Sequence, residues 1–430
     1  MPLTDPGPSP LSRGDRQLSV AGARAAIAAA LEPIRGLETV PLQQALGRVL
    51  GADLLSPIDV PAHDNSAMDG YAFDGAALRD DAATTLEVAG TVYAGAPHAG
   101  RIAAGQCLRI MTGAVMPEGL DTVVPLELCR SEGDRVHVDA GVVRAGENRR
   151  RRGEDLACGK PALRAGRLLR PADLGLLASL GIAEVSVVRR LRVALFSTGD
   201  ELRSLGQPLP PGAVYDSNRQ TLMAALQRLG VEIVDLGLVR DDPAALAEAL
   251  QQAMARADAV LTSGGVSMGD ADYTREVLAQ LGEVAFWKVA MRPGRPFAFG
   301  PLRRPPTAAG ATSAPVWLFA LPGNPVAALV TFYVFAREAL LRLAGATVPP
   351  TPVLQARCQA PIRKRPGRTE FQRAIVEPGP AGWEVRLTGS QGAGVLRSMS
   401  EANALLVLRH EQGSVAPGEM VDVWLFDGLV

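Results

Sequence analysis

The sequence predicts a multidomain α/β-plus-β fold: a doubly wound α/β domain, a split helical linker domain, an inserted mostly β domain and a C-terminal β-barrel-like domain. Three observations predict it. The 430 residues exceed one ordinary domain and, at roughly 150 residues each, suggest about three. Between residues 191 and 343, hydrophobic strand-length runs alternate with helix-length ones, the pattern of a parallel, doubly wound sheet. On either side of that stretch, at about 86–145 and 347–430, the period shortens to strand-like pieces divided by Gly, Pro and acidic turns.

Each element has a local reason. Residues 1–15 are rich in Pro, Ser and Gly and read as a loose tail. Ala23, Ala26, Ile27, Ala30 and Leu31 recur at helical spacing and predict a helix over 19–33. A second short helix fits 41–50, before Pro57 and Pro61 break the pattern. LRIMTG, TVVPLE and RVHVDAGVV are the strands of the inserted domain, placed at 56–154. The basic run near 149 leads to the helix PADLGLLASLG. This segment, 155–185, is expected to rejoin 16–55 and close the split linker domain.

The α/β domain is placed at 186–345. LRVALFST, VEIVDLGLV and DAVLTSGG are its first strands. Helices fit 217–229, stopped by Gly230, and Pro243 to about Ala257, with Asp242 as N-cap. A further helix, the strand of VWLFALPGNP and a long helix through about Leu343 complete it. GPLRRPPTAAGATSAP, 300–315, reads as an exposed loop or extended hairpin. From 346 to 430, PVLQARCQA, TEFQRAIVE, WEVRLTG, ALLVLR and MVDVWLFDG predict a small, partly open barrel.

Composition narrows the function classes. With 47% hydrophobic and 21% charged residues, global disorder is excluded. Lys plus Arg total 44 against 45 acidic residues, which argues against a basic nucleic-acid wrapper. Cys107, Cys129, Cys158 and Cys358 form no CxxC pair, so neither a zinc site nor a disulfide scaffold is expected. The N-terminus lacks signal-peptide features and no apolar run spans a membrane, so a soluble, cytoplasmic protein is expected. The 45 glycines and 33 prolines point instead to many backbone-lined loops.

Open α/β sheets bind ligands beyond the carboxyl ends of their strands. There the chain places Asp200-Glu201, Asp242, Ser263-Gly264-Gly265 and Pro322-Gly323-Asn324. In LTSGGVSMGDADYT, small residues let backbone N–H groups approach an anion, and a helix start follows. Asp270 and Asp272 would repel a bare phosphate, which makes a bridging divalent cation attractive. The loop is neither GxGxxG nor a P-loop. Asp200, Glu201 and Asp242 are hard oxygen donors, although Asp242 also reads as a simple helix cap. Arg149 to Arg152 form a run that is either a solvated linker or an oxyanion grip. Lys288, Arg292 and Arg295 surround the Pro293-Gly294 turn, and Arg368, Arg373, Ser390 and Gln391 lie in the last β region. Asp64, Asn65, Ser66 and Asp69 make a polar loop compatible with an ordinary turn.

Together VPAHDNSAMDGYA, IMTGAVMPEGLDTVV, RRRGEDL, STGDEL, LTSGGVSMGDADYT, FWKVAMRPGRPFAFG and LPGNPVAAL resemble the MoeA family of molybdopterin molybdenumtransferases, from about residue 18 to 430. The resemblance implies a MoeA-like four-part fold with a molybdopterin-binding α/β domain. It implies a homodimer with shared active-site clefts and transient contact with molybdopterin adenylyltransferase and molybdoenzymes. It implies Mg²⁺ as cofactor, with adenylylated molybdopterin and molybdate as substrates and AMP released. Carried over residue by residue, it marks Asp64, Asp155, Glu201 and Asp272 as catalytic. Thr112, Ser263, Gly264, Gly265, Lys288, Arg292, Arg295, Arg368 and Ser390 become substrate or oxyanion contacts, and Glu201 and Asp242 metal ligands. Arg292 and Arg295 stand where the family often has lysines, which keeps the charge but changes its geometry. Two competing readings are adenylylation of molybdopterin by the same core and a noncatalytic scaffold.

Overall fold

The computed structural model describes residues 17–265, 271–304 and 314–428, with residues 17, 271–273 and 428 described in their backbone only. The expected tail at 1–15 lies outside the described residues, as does most of the 300–315 loop. A helix over Val20–Ala30 comes first, started by Ser19, whose hydroxyl accepts from the Gly22 amide at 3.0 Å. The second short helix expected at 41–50 is not formed. Pro41 ends a strand, Leu37–Pro41, and only a 3₁₀ turn, Leu42–Gln44, follows. Gly47 then takes φ +70, which breaks any helix, and Leu50 bridges to Val187. Leu37–Pro41 instead pairs with Glu184–Val188, and Leu54–Leu55 with Pro161–Leu163. Two β ribbons and the helix Pro171–Ser179 thus join the chain on both sides of the insertion.

The inserted part is a six-stranded sheet with apolar residues on both faces. One face packs Phe73, Leu86 and Val136, the other Leu108, Ile110 and Val123. The α/β part holds strands β1 (Arg192–Thr198), β2 (Glu232–Val239), β3 (Ala259–Ser263), β4 (Ala285–Val289), β5 (Pro296–Leu302) and β6 (Val316–Leu321). Its helices are α1 (Ser217–Arg228), α2 (Pro243–Arg256), α3 (Ala271–Leu281) and α4 (Pro325–Thr331). A π-helical stretch, Phe332–Ala336, carries α4 on into a last helical segment ending at Leu343.

The sheet runs Gln17–Leu18, β4, β5, β6, β3, β1, β2. β2, β1, β3 and β6 are parallel, but β5 pairs antiparallel with both β6 and β4. The sheet is therefore mixed rather than purely parallel. β5 and β6 follow each other in sequence and pair antiparallel, with Leu302 opposite Val316.

The protein is only 4% aromatic, yet its aromatics concentrate in one layer. Phe297 stacks on Phe335 at 5.1 Å and Phe299 on Trp317 at 5.2 Å. The same core continues to Phe371 and Trp424 of the C-terminal part, so one apolar layer seats the sheet against it. The opposite sheet face packs on α2 and α3 through Leu246, Leu250 and Leu278.

The C-terminal strands are β7 (Leu354–Cys358), β8 (Thr369–Gly379), β9 (Gly382–Leu387), β10 (Ala404–Leu408) and β11 (Met420–Leu425). They close as β8-β9-β7-β11-β10-β8, so the barrel is closed where a partly open one is expected from sequence. A short helix, Leu396–Glu401, crosses between β9 and β10.

At the base of β3, Asp258 anchors three segments. Arg189 donates to its two oxygens, each at 2.8 Å, and the Arg192 amide donates at 2.9 Å. Burial pushes its carboxyl pKa up, but these donors outweigh burial and hold it below the usual range. Stability from such a depressed carboxylate is full above its unfolded pKa, about 4, and lost as pH falls through the folded value. Asp258→Asn should lower stability by about 3 kcal/mol at neutral pH. In denaturant titrations it should also flatten the fall in stability below about pH 4. A variant with the wild-type acid profile would show that the pair does not stabilise the fold.

Candidate functional site

The first wall of the site is built from strand ends. β1, β3 and β6 are parallel neighbours, so their carboxyl ends open on the same side. After β1, Gly199 has φ +153, and a side chain there would meet the Glu201 carboxylate at 2.7 Å. Glu201 therefore folds back over bare backbone. α1 begins at Asp216, a buried N-cap that accepts from the Arg219 amide and from the Ser197 hydroxyl, both at 3.1 Å. After β3, Gly264 has φ +95 and lies against the Thr198 carbonyl, where a Cβ would overlap the oxygen. The Gly264 amide donates back to Leu321 at 3.2 Å, which ties the β3 end to the β6 end.

The second wall comes from the barrel. Met291–Arg292 forms a short strand parallel to β8, opposite Thr369 and Glu370. A cis Arg292–Pro293 bond leads into Gly294 at φ +93, which packs on Ala327 and Thr331 of α4 so closely that no Cβ fits. The RPGRP turn is thereby held between helix and barrel. A cleft of about 740 Å³ opens between the walls, lined by Glu201, Asn218, Arg292, Gly323, Gln391 and Gly394 among others. A smaller recess of about 220 Å³ adjoins it and shares Arg292, Pro293 and Gln391.

Arg373, 1% exposed, lines that recess. Its guanidinium donates to the Ser398 hydroxyl at 3.0 Å and to the carbonyls of Ser390, Gln391 and Gly392 at 3.1, 3.2 and 2.9 Å. No carboxylate pairs with it among the described residues. Burial, and then the neighbouring charge of Arg292, push its pKa down to about 10, so at neutral pH it remains a cation. Four of its five N–H donors are committed, three to the 390–392 loop and one to Ser398. Its main contribution to the cleft is therefore an uncompensated positive charge beside Arg292, plus a fixed conformation for 390–392.

A second cluster lies on the inserted part. The ribbon pairing Asn65–Ser66 with Arg149–Arg150 joins the DNSAMDGY and arginine-run motifs. Asp64 accepts from the Arg152 amide at 2.8 Å and faces Arg149 at 3.6 Å. Thr112 donates to Asp69 through its amide at 2.6 Å and its hydroxyl at 2.7 Å, holding that carboxyl below the usual range. Asp155 is exposed nearby, its amide bonded to Val60. None of these residues lines the cleft.

The expected site residues thus divide. Glu201 and Arg292 line the cleft, and Ser263 reaches it through Asn218. Ser390 gives its backbone carbonyl to Arg373. Asp242 caps α2, its Oδ1 accepting from the Ala244 and Ala245 amides at 3.1 and 3.0 Å. Arg368 is committed to buried Glu370 at 2.8 Å. Lys288 on β4 and exposed Arg295 flank the turn outside the cleft lining. Gly265 faces a small recess under β3. The side chain of Asp272, and Asp270 with its loop, lie outside the described residues. Among the described residues no three His, Cys, Asp or Glu side chains form one metal-binding group.

Three placements are missing from the motif reading: Asn218 and Gln391 in the cleft wall, and Arg373 as a buried cation. Arg373 had a signal. It shares strand parity with Phe371, so an arginine occupies an apolar-face position.

The chain matches family models for the MoeA N-terminal region (domains I and II) over 18–181, a probable molybdopterin binding domain over 194–342, and the MoeA C-terminal region (domain IV) over 355–426. A molybdopterin molybdenumtransferase of Haemophilus influenzae is 41% identical over 395 residues, covering 91% of this chain and 95% of the relative. One from Nostoc is 37% identical, covering 91% and 89%. The crystal structure of a molybdopterin biosynthesis moeA protein from Pyrococcus horikoshii shares the fold at TM-score 0.79 and 28% identity, covering 96% of this chain and all of that one. A cleft that needs sheet and barrel together, in a chain similar to these relatives along nearly its whole length, has one consistent origin: the chain is a transferase of the MoeA family, which acts in molybdenum cofactor biosynthesis.

Proposed function

We propose that the chain is a molybdopterin molybdenumtransferase that inserts molybdenum from molybdate into adenylylated molybdopterin and releases AMP. The observation that carries this reading is the cleft at the sheet–barrel junction, with exposed Arg292 in its wall and the buried charge of Arg373 behind it. Preorganised positive charge of this kind suits a tetrahedral oxyanion and a phosphate linkage. The substrate's dithiolene sulfurs become the molybdenum ligands, so no cysteine need enter the site. Arg292 and the turn backbone hold the oxyanion. Lys288 and Arg295 strengthen the positive field around the turn, and the glycines after β3 admit the substrate close to the backbone.

Mg²⁺ fits the donors in kind, Glu201 in the cleft wall and Asp242 at the α2 cap, rather than as a closed cage. Glu201 and Asp242 offer carboxylate oxygens, with one oxygen of Asp242 already committed to the cap. Mg²⁺ commonly keeps several waters and shares substrate phosphates, so two carboxylates suffice. When bound, the ion would neutralise charge on the phosphate linkage. Asp242→Ser keeps an N-capping oxygen, so Tm should stay within about 2 °C. The Mg²⁺ concentration for half-maximal activity should rise severalfold. An unchanged Mg²⁺ response would leave Asp242 as a cap alone.

We further infer a homodimer in which the Asp64–Arg149 cluster of one protomer completes the cleft of its partner. The separation of that cluster from its own cleft supports this reading. Asp64, Asp155 and Asp272 then orient substrate phosphates or a reacting oxygen. The test supplies adenylylated molybdopterin, molybdate and Mg²⁺ and measures AMP with reconstitution of an apo-molybdoenzyme. AMP and active cofactor should form together, and divalent-ion removal should stop both. ATP consumption with accumulation of adenylylated molybdopterin would mark an adenylyltransferase instead.

A further inference from the structure

Three strand-end loops meet at one side chain. Asn218 lies in the first turn of α1 and lines the cleft. Its Nδ2 donates to the Ser263 hydroxyl, at the end of β3, and to the Gly323 carbonyl, just past β6, both at 2.6 Å. A backbone carbonyl only accepts, so the atom facing Gly323 is the amide nitrogen and the orientation of the carboxamide is determined. Both N–H groups are used. The start of α1 is itself tied to β1 through Asp216 and Ser197. A Cβ on Gly323 would come 3.8 Å from the Gly264 α-carbon, so bare backbones face each other across the two loops. Asn218 bridges them from the α1 side, beside the direct bonds from the Ser263 hydroxyl to the Pro322 carbonyl at 3.4 Å and from the Gly264 amide to Leu321.

We propose that Asn218 is a positioning residue for the transfer reaction: its two N–H bonds set the spacing between the TSGG and PGNP loops, and with it the width of the cleft that receives the pterin substrate. This rests on the functional reading above. Asn218→Asp provides the sharpest test. Aspartate is nearly isosteric, and a negative charge in the first turn favours the helix, so a purely structural role predicts a tolerated change. It cannot donate, however, and would set an oxygen against the Gly323 carbonyl. KM for adenylylated molybdopterin should rise about tenfold or more, with a much smaller change in kcat and an unchanged Tm. Hydrogen exchange needs no substrate and separates this proposal from the functional reading. Amides of 263–265 and 323–324 should exchange faster in Asn218→Asp, whether or not AMP release is observed. Wild-type exchange in both loops, or a KM within twofold of wild type in an active enzyme, would overturn the positioning role.

Discussion

Arg373→Met is expected to lower stability by about 3 kcal/mol and to abolish measurable transfer. The stability loss does not arise from losing a salt bridge, because none exists among the described residues. Burying a guanidinium costs free energy, and methionine removes that cost. What it adds is worse. The carbonyls of Ser390, Gln391 and Gly392 lose their donor together, and the Ser398 hydroxyl loses a partner. Each orphaned acceptor costs about 1–3 kcal/mol unless water enters. The activity loss has a separate cause, removal of the positive charge beside Arg292. Arg373→Lys separates the two: it keeps charge but cannot reach four acceptors, so stability should fall while some oxyanion affinity remains. Chemical denaturation and AMP release measured on both variants check this. Full activity in Arg373→Met would remove the buried charge from the account.

Gly264→Ala should reduce kcat/KM by about a hundredfold, the scale of a misplacement near 1 Å. The added Cβ would overlap the Thr198 carbonyl oxygen, and φ +95 is strained for alanine. Backbone cannot rotate aside as a side-chain tip can, so the β3 loop must move away from β1. Gly175 is the control. It lies within the helix Pro171–Ser179 with open space where a Cβ would sit. Gly175→Ala should stabilise by about 0.5–1 kcal/mol and leave transfer unchanged. Equal activity in both alanine variants would show that the close approach of Gly264 to β1 is not required.

Much of the α/β part was legible because its signals are local. Asp242-Pro243 starts α2, Gly230 stops α1, and uninterrupted apolar runs mark β1 and β3. Strand direction was not legible. β5 reads as well in either orientation, and only its pairing with β6 fixes it antiparallel. The missing helix at 41–50 failed for a long-range reason: Leu37–Pro41 and Leu50 find their partners more than a hundred residues later. The site divides in the same way. STGDEL and TSGG stand out as loops at strand ends. Arg373 is named from the sequence, but its burial under the 390–392 loop, like the Asn218 bridge, becomes visible only when the barrel loop and the β6 end are brought alongside.

The central claim is that the sheet–barrel cleft receives the oxyanion. Crystals soaked with molybdate and measured with X-rays at the molybdenum absorption edge test it directly. The account predicts an anomalous peak in the cleft, in contact with Arg292 and the 293–295 turn. Molybdate peaks elsewhere, with none in contact with Arg292 or the 293–295 turn, would contradict it.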